Sequence, residues 1–107
     1  MTLDHLNPLL SNTKRLAALG VLAKSSEVEF VFLRQALGLS DSDLSKQMGA
    51  LADADYLTTR KTGKGRNRKT WFKITGAGRK AIRQHISALN GLVHDAPNAP
   101  APPVDGR

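Results

Sequence analysis

Ten cations stand in one stretch of the chain without a carboxylate among them, and their chemistry is the neutralisation of anions rather than the breaking of bonds. Residues 56–94 hold 10 Lys and Arg and no Asp or Glu, whereas residues 1–55 hold 5 basic and 7 acidic side chains and residues 95–107 hold 1 and 2. The densest part is Lys61, Lys64, Arg66, Arg68 and Lys69, flanked by Arg60 and Lys73. Such a run repels itself, so a polyanionic partner is the economical reason for it. A surface tuned for solubility alone would mix both signs. Catalytic chemistry has no comparable support. The chain has no Cys, which removes disulfides, thiolate nucleophiles and Cys-based zinc sites together. His5, His85 and His94 form no close ligand motif, and the glycines of 63–65 lack the strand-to-helix setting of a phosphate-cradling loop. The residues point to a binding protein and not an enzyme, with no cofactor and no metal.

These cations need a scaffold. A chain of 107 residues, 40% hydrophobic and 23% charged, has the composition of one globular domain. No apolar run reaches the ~18 residues of a membrane span, and the first residues lack a secretory signal, so a cytoplasmic protein with no membrane partner is expected. Asn12 can cap a helix over 13–24, with Leu16, Leu19, Leu22 and Ala23 on its inner face. A very short strand at 27–29 and a helix over 31–37, stopped by Gly38, follow. Ser40, with Asp43 three residues on, resembles a capping box and opens a helix over 41–52. Leu44, Met48 and Leu51 form its buried stripe and leave Ser42, Ser45, Lys46, Gln47, Gly49 and Ala50 outside.

Beyond Asp55 the period changes. Residues 56–61 and 70–74 are rich in β-branched and aromatic types, and the basic run 62–69 between them is the tip of a hairpin. Thr70, Phe72 and Ile74 share its inner face, with Trp71 and Lys73 on the other. Thr75 caps a last helix to about Val93, striped by Ile82, Ile86, Leu89 and Val93. The domain is expected to end near 94. Residues 95–107, with four prolines, bury too little surface to offset their ordering entropy and are expected to form a flexible tail.

Helix, short strand, helix, turn, helix, two-stranded basic hairpin, helix is the order of a winged helix-turn-helix domain, an α+β fold that is mainly α. The strings LRQALGLS at 33–40, DSDLSKQM at 41–48 with Leu51, and TGAGR at 75–79 resemble the small winged-helix transcriptional regulators of the MarR and ArsR group. The resemblance covers roughly residues 7–90. It implies that the helix over 41–52 enters the major groove of double-stranded DNA, that the wing tip at 63–68 reaches the adjacent minor groove, and that the end helices build a homodimer. Three positions depart from the pattern, one of them Asp55, which stands at the helix exit where related sequences often have Gly and which can tolerate a left-handed conformation. Asp43 stands where related sequences often carry an uncharged polar residue, and Gly49 where they often carry a long or basic one.

On that footing the DNA-binding residues divide by chemistry. Arg60, Lys61, Lys64, Arg66, Arg68 and Lys69 supply phosphate contacts, and Arg66 or Arg68 suits insertion into a narrow A·T-rich minor groove. Ser42, Ser45, Lys46 and Gln47 are the base readers, Gln47 suiting adenine and Lys46 guanine or phosphate. A monomer reads too few base pairs, so a two-fold dimer on a pseudo-palindrome is expected. Its interface draws on Leu6, Leu9 and Leu10 together with Ile86, Leu89, Leu92 and Val93, although Ile82 and Ile86 suit the monomer core better. The function implied is a homodimeric, sequence-specific transcriptional regulator, a repressor, associated with the nucleoid when bound. The alternatives are a winged-helix protein-interaction module, favoured by Asp43 and Gly49, or a nonspecific nucleic-acid-binding subunit.

Overall fold

The computed structural model describes residues 2–104. Helix α1, Thr13–Ala23, starts at Asn12, whose side-chain oxygen accepts the Arg15 N–H. A two-residue strand β1, Val28–Glu29, leads into α2, Phe30–Leu37. Helix α3 spans Asp41–Asp53. The hairpin is β2, Leu57–Thr62, and β3, Lys69–Ile74, with a single 3-10 turn at Gly65–Asn67 in its loop. Helix α4, Gly76–His94, closes the domain. The three strands form one antiparallel sheet in the order β1-β3-β2. Residues 96–104 carry no helix or strand and are exposed. Among the described residues, no helix is long and apolar enough to cross a membrane.

Both ends of α3 are fixed by local chemistry. At its start, Ser40 Oγ accepts the Asp43 N–H at 3.1 Å, satisfying one of the helix's orphan donors. At its end, Asp55 takes a left-handed φ of 62°, with its N–H bonded to the Ala52 carbonyl and that of Tyr56 to the Leu51 carbonyl. The same pair of bonds closes α2 through Gly38, at φ 65°. Two left-handed closures therefore set the short turns on either side of α3. An aspartate can stand at the second because its short polar side chain tolerates that region better than most. Only half of the expected capping box forms, since the Asp43 carboxylate bonds elsewhere.

Leu19 and Leu22 of α1, Leu33 of α2 and Leu44, Met48 and Leu51 of α3 are buried together with Leu57, Phe72 and Ile74 of the sheet and Ile82 of α4. Register explains the sheet's share: Leu57 pairs with Ile74, Thr59 with Phe72 and Val28 with Phe72, so one face turns inward. The opposite face carries Glu29, Arg60, Trp71 and Lys73, with Trp71 Nε1 donating to Thr62 Oγ1 at 3.0 Å.

Two expectations need correction. Leu10, assigned to a dimer interface, is 0% exposed and belongs to the monomer core, because residues 7–11 turn back over α1 instead of running outward. Ile86, better suited on paper to the core, is 45% exposed. The stripe that buries Ile82 continues along α4, but the second half of the helix runs past the body it packs on. Leu89 and Val93 are likewise exposed, and Leu92 is half-buried.

Candidate nucleic-acid interface

The hairpin presents its cations by its own geometry. Thr62 pairs with Lys69 at the end of the ladder, and residues 63–68 form the loop beyond it. Gly63 and Gly65 take φ of 77° and 57°, which fold the backbone into a compact tip. Lys64, Arg66 and Arg68 are exposed there, with Lys61 and Lys69 exposed just below. Among the described residues, none of these five side chains enters an ion pair or a side-chain hydrogen bond. Their donors are open to an anion.

Arg60 differs from them. Its Nε and Nη2 donate to the two carboxylate oxygens of Glu27 at 3.0 and 2.8 Å. Arg60 is thus engaged in a bidentate pair within the domain, and only its remaining N–H donors, on a side chain 58% exposed, are open to a phosphate. The same pairing holds the Glu27 carboxyl below the usual carboxylate range.

Helix α3 lies beside the wing. Ser45, Met48, Gly49 and Ala52 on the helix face Thr59, Lys61, Thr70 and Phe72 on the hairpin across an open groove of about 280 Å³. Ser42, Ser45 and Lys46 are exposed on α3. Nothing lies within 4 Å of where a Gly49 side chain would begin, so the helix is bare at its centre. That bareness has a thermodynamic reading: Gly49→Ala is expected to raise stability by about 1 kcal/mol through helix propensity alone, a gain that urea denaturation would register. An unchanged midpoint would show that Gly49 sits under a constraint beyond helix propensity.

Gln47 is corrected by the structure. It is 5% exposed, with its Oε1 accepting from Arg15 Nη1 at 2.8 Å and its Nε2 donating to Asp43 Oδ1 at 2.8 Å. Both ends of the amide are occupied inside the domain, which leaves neither for an adenine. Asp43 receives Lys14 Nζ on its other oxygen at 2.6 Å. Lys14 and then Gln47 hold the Asp43 carboxyl below its ordinary range. The misplaced-looking aspartate is therefore an internally compensated charge. Lys14 and Arg15, whose roles depend on contacts about thirty residues away, carried no signal in the local pattern. The Asp43 and Gln47 pair at i, i+4 was a signal that could have been read, since amide and carboxylate at that spacing bond along a helix.

Both lowered carboxyls set a direction for acid stability. A group whose folded pKa lies below its unfolded value contributes stability above the unfolded value and loses it as pH falls through the folded one. Thermal melts are expected to hold steady down to about pH 4–5 and to fall below that. In Asp43→Asn with Glu27→Gln the fall should be shallower. An equally steep acid decline in the double variant would assign it to other carboxylates.

A family model described as the winged helix DNA-binding domain matches residues 14–93. Among curated proteins, none matches the chain. Among solved structures, a transcriptional regulator homologue from Pyrococcus horikoshii OT3 superposes with a TM-score of 0.75 at 21% identity, covering 81% of this chain and 86% of that one. The putative transcriptional regulator ytfH from Salmonella typhimurium gives 0.68 at 15% identity, over 79% and 75% of the two chains. MepR of S. aureus, solved as a complex with DNA, gives 0.66 at 15% identity over 81% and 74%. These likenesses establish a shared fold, and the family match spans the helices, the wing and the groove between them. The chain belongs to the winged helix DNA-binding domain family.

Proposed function

We propose that the chain is a homodimeric, sequence-specific DNA-binding transcriptional regulator of the MarR type, acting as a repressor. The observation that carries this reading is the wing: a compact loop with Lys64, Arg66 and Arg68 exposed and unengaged among the described residues, across a groove from the exposed face of α3. In this reading the wing cations neutralise phosphates, with Arg66 or Arg68 entering the minor groove, while Ser42, Ser45 and Lys46 meet base edges in the major groove. The complex of MepR with DNA is a fold neighbour in the same sense.

The dimer would use the second half of α4. Ile86, Leu89 and Val93 are exposed there, Val93 at 75%, and apolar side chains in a row on a free helix face mark an association surface. Leu6 and Leu9, half-buried in the N-terminal segment, and Leu92, half-buried on α4, would complete it. Leu89→Glu with Val93→Glu is expected to convert a dimer into a monomer in sedimentation equilibrium, and a wild-type monomer at micromolar concentration would reject this part of the reading.

The decisive experiment is fluorescence anisotropy on a duplex selected from genomic fragments, with random DNA and RNA as competitors. The log of the association constant should fall with log salt by about 0.9 for each phosphate neutralised, and random DNA should compete poorly. Equal affinity for every duplex would leave only a nonspecific binder. The competing reading, in which α3 faces a protein, draws on Asp43 and Gly49; Lys14 answers the charge of Asp43 at 2.6 Å, while Gly49 stays exposed on α3.

A further inference from the structure

One unbroken set of hydrogen bonds runs from α4 to the first turn of α3. His85, 1% exposed on α4, accepts the backbone N–H of Asn7 on its Nδ1 at 2.9 Å. The Asn7 side chain donates from Nδ2 to the Tyr56 hydroxyl at 2.8 Å, and its Oδ1 accepts the N–H groups of Leu9 and Leu10 at 2.9 and 3.3 Å. The Leu9 carbonyl in turn accepts Arg15 Nε at 2.7 Å. The same guanidinium reaches Gln47, Gln47 reaches Asp43, and Lys14 closes the set.

The orientation of the Gln47 amide is forced by its neighbours. Reversing it would place its NH₂ against a guanidinium and its oxygen against a carboxylate. Asp43 and Gln47 lie one turn apart on a single edge of α3, beside the stripe of Leu44, Met48 and Leu51. The stripe fixes which face of the helix is down. The edge fixes its rotation, by tying it to α1 and, through Arg15, to residues 7–10. Ser42, Ser45, Lys46 and Gly49 are held outward as a result.

We propose that Asp43 and Gln47 are positioning residues for the DNA-reading helix, and that Arg15 and Asn7 make the set of that helix depend on how residues 6–10 are docked against α4. This rests on the DNA-binding reading given above. It makes the docking of the N-terminal segment, next to the dimer surface, a control on α3 from a distance. A partly buried polar network of this kind couples its members, because withdrawing one obliges the others to find new partners.

The test uses the full chain and four variants: Gln47→Ala, Arg15→Ala, Arg15→Lys and Asn7→Ala. Gln47→Ala and Arg15→Ala are each expected to weaken operator binding by about tenfold, to do so alike for every single-base-pair variant of the operator, and to leave the salt slope unchanged. Their combination should be no weaker than the poorer single variant. Arg15→Lys should resemble Arg15→Ala, because an ammonium cannot hold the Leu9 carbonyl and the Gln47 amide in one fork. Without DNA, Asn7→Ala should raise amide exchange over 42–47 by about tenfold relative to the rest of the core.

A change confined to one operator base pair in Gln47→Ala would make Gln47 a base reader and overturn the proposal. Additive effects of Arg15→Ala and Gln47→Ala, or exchange in Asn7→Ala that rises equally in every helix, would overturn it too. Should Asn7→Ala not fold, exchange over 42–47 in Arg15→Lys decides in its place. The exchange arm needs no DNA. A native protein that bound no duplex would therefore defeat the DNA-binding reading, while exchange would still decide whether residues 6–10 control α3.

Discussion

Replacing Arg66 and Arg68 together by Ala is expected to weaken DNA binding by about a hundredfold, the loss of two charge-assisted contacts, and to flatten the salt dependence by about 0.9 per phosphate contact removed. The folded state should be untouched, since both side chains are exposed and unengaged among the described residues. Arg60→Ala is the informative control. Its guanidinium is held by Glu27 at 2.8 and 3.0 Å, so its removal should change the salt slope little while leaving Glu27 without its partner. If Arg60→Ala weakened binding as much as the tip variants, the contact would run along the stem of the hairpin and the assignment to the tip would fall. A third variant separates positioning from reading: Lys46→Ala should alter preference among operator sequences more than it alters affinity for random DNA.

Gly78→Ala is expected to cost about 3 kcal/mol of folding stability and to lower the melting temperature by 10 °C or more, on the order of 4–8 °C per kcal/mol for a domain of this size. Gly78 is buried in the first turn of α4, its N–H donating to the Thr75 hydroxyl oxygen at 3.0 Å. A Cβ there would stand 2.2 Å from the Tyr56 carbonyl oxygen and 2.9 Å from Ile74 Cγ1. The carbonyl cannot step aside cheaply. It accepts the Thr75 N–H at 3.0 Å, while the Thr75 hydroxyl donates to the Asp55 carbonyl at 2.6 Å. The start of α4 is thus pinned to the exit of α3 by three residues with no slack between them. Gly63→Ala meets an equally close backbone atom, the Asn67 oxygen at 2.1 Å, but in an exposed loop that can rearrange, so its effect should appear in DNA binding before stability. Differential scanning calorimetry of the two variants would compare them directly. A Gly78→Ala protein that melted with the wild type would mean that α4 can swing away from Tyr56 at little cost.

What could be read in the sequence was local. Asn12, Ser40 and Thr75 cap their helices as their residue types demand, and the leucine spacing of α1 and α3 marks the faces that are buried. The hairpin strands follow from alternation and the basic tip from composition. A helical wheel places Gln47 at the border of the exposed face, and what covers it arrives from Arg15, 32 residues earlier. Leu10 lies in a stretch with no periodicity to place it, and the fold-back of residues 7–11 through the Asn7 side chain leaves no local signature. Ile86 continues an apolar stripe that no periodicity can distinguish from core, since only the extent of the body beneath α4 decides where cover ends. Arg60 looked like its basic neighbours until the sheet brought Glu27 beside it, 33 residues away in the chain.

The sidedness of α3 bears on how freely such a protein could change its target. The hydrogen-bonded edge of Asp43 and Gln47 and the buried stripe of Leu44, Met48 and Leu51 occupy one half of the helix. Ser45, Lys46 and Gly49 occupy the other, and among the described residues none of the three holds a neighbour by a side-chain hydrogen bond. Substitutions at those three positions leave every strut of the helix in place, so on the proposed reading of α3 a lineage or a combinatorial library could explore new operators there without first acquiring compensating changes in the core. Retargeting and folding are separable problems in this domain, and the bare glycine at 49 is the position with the most room to move.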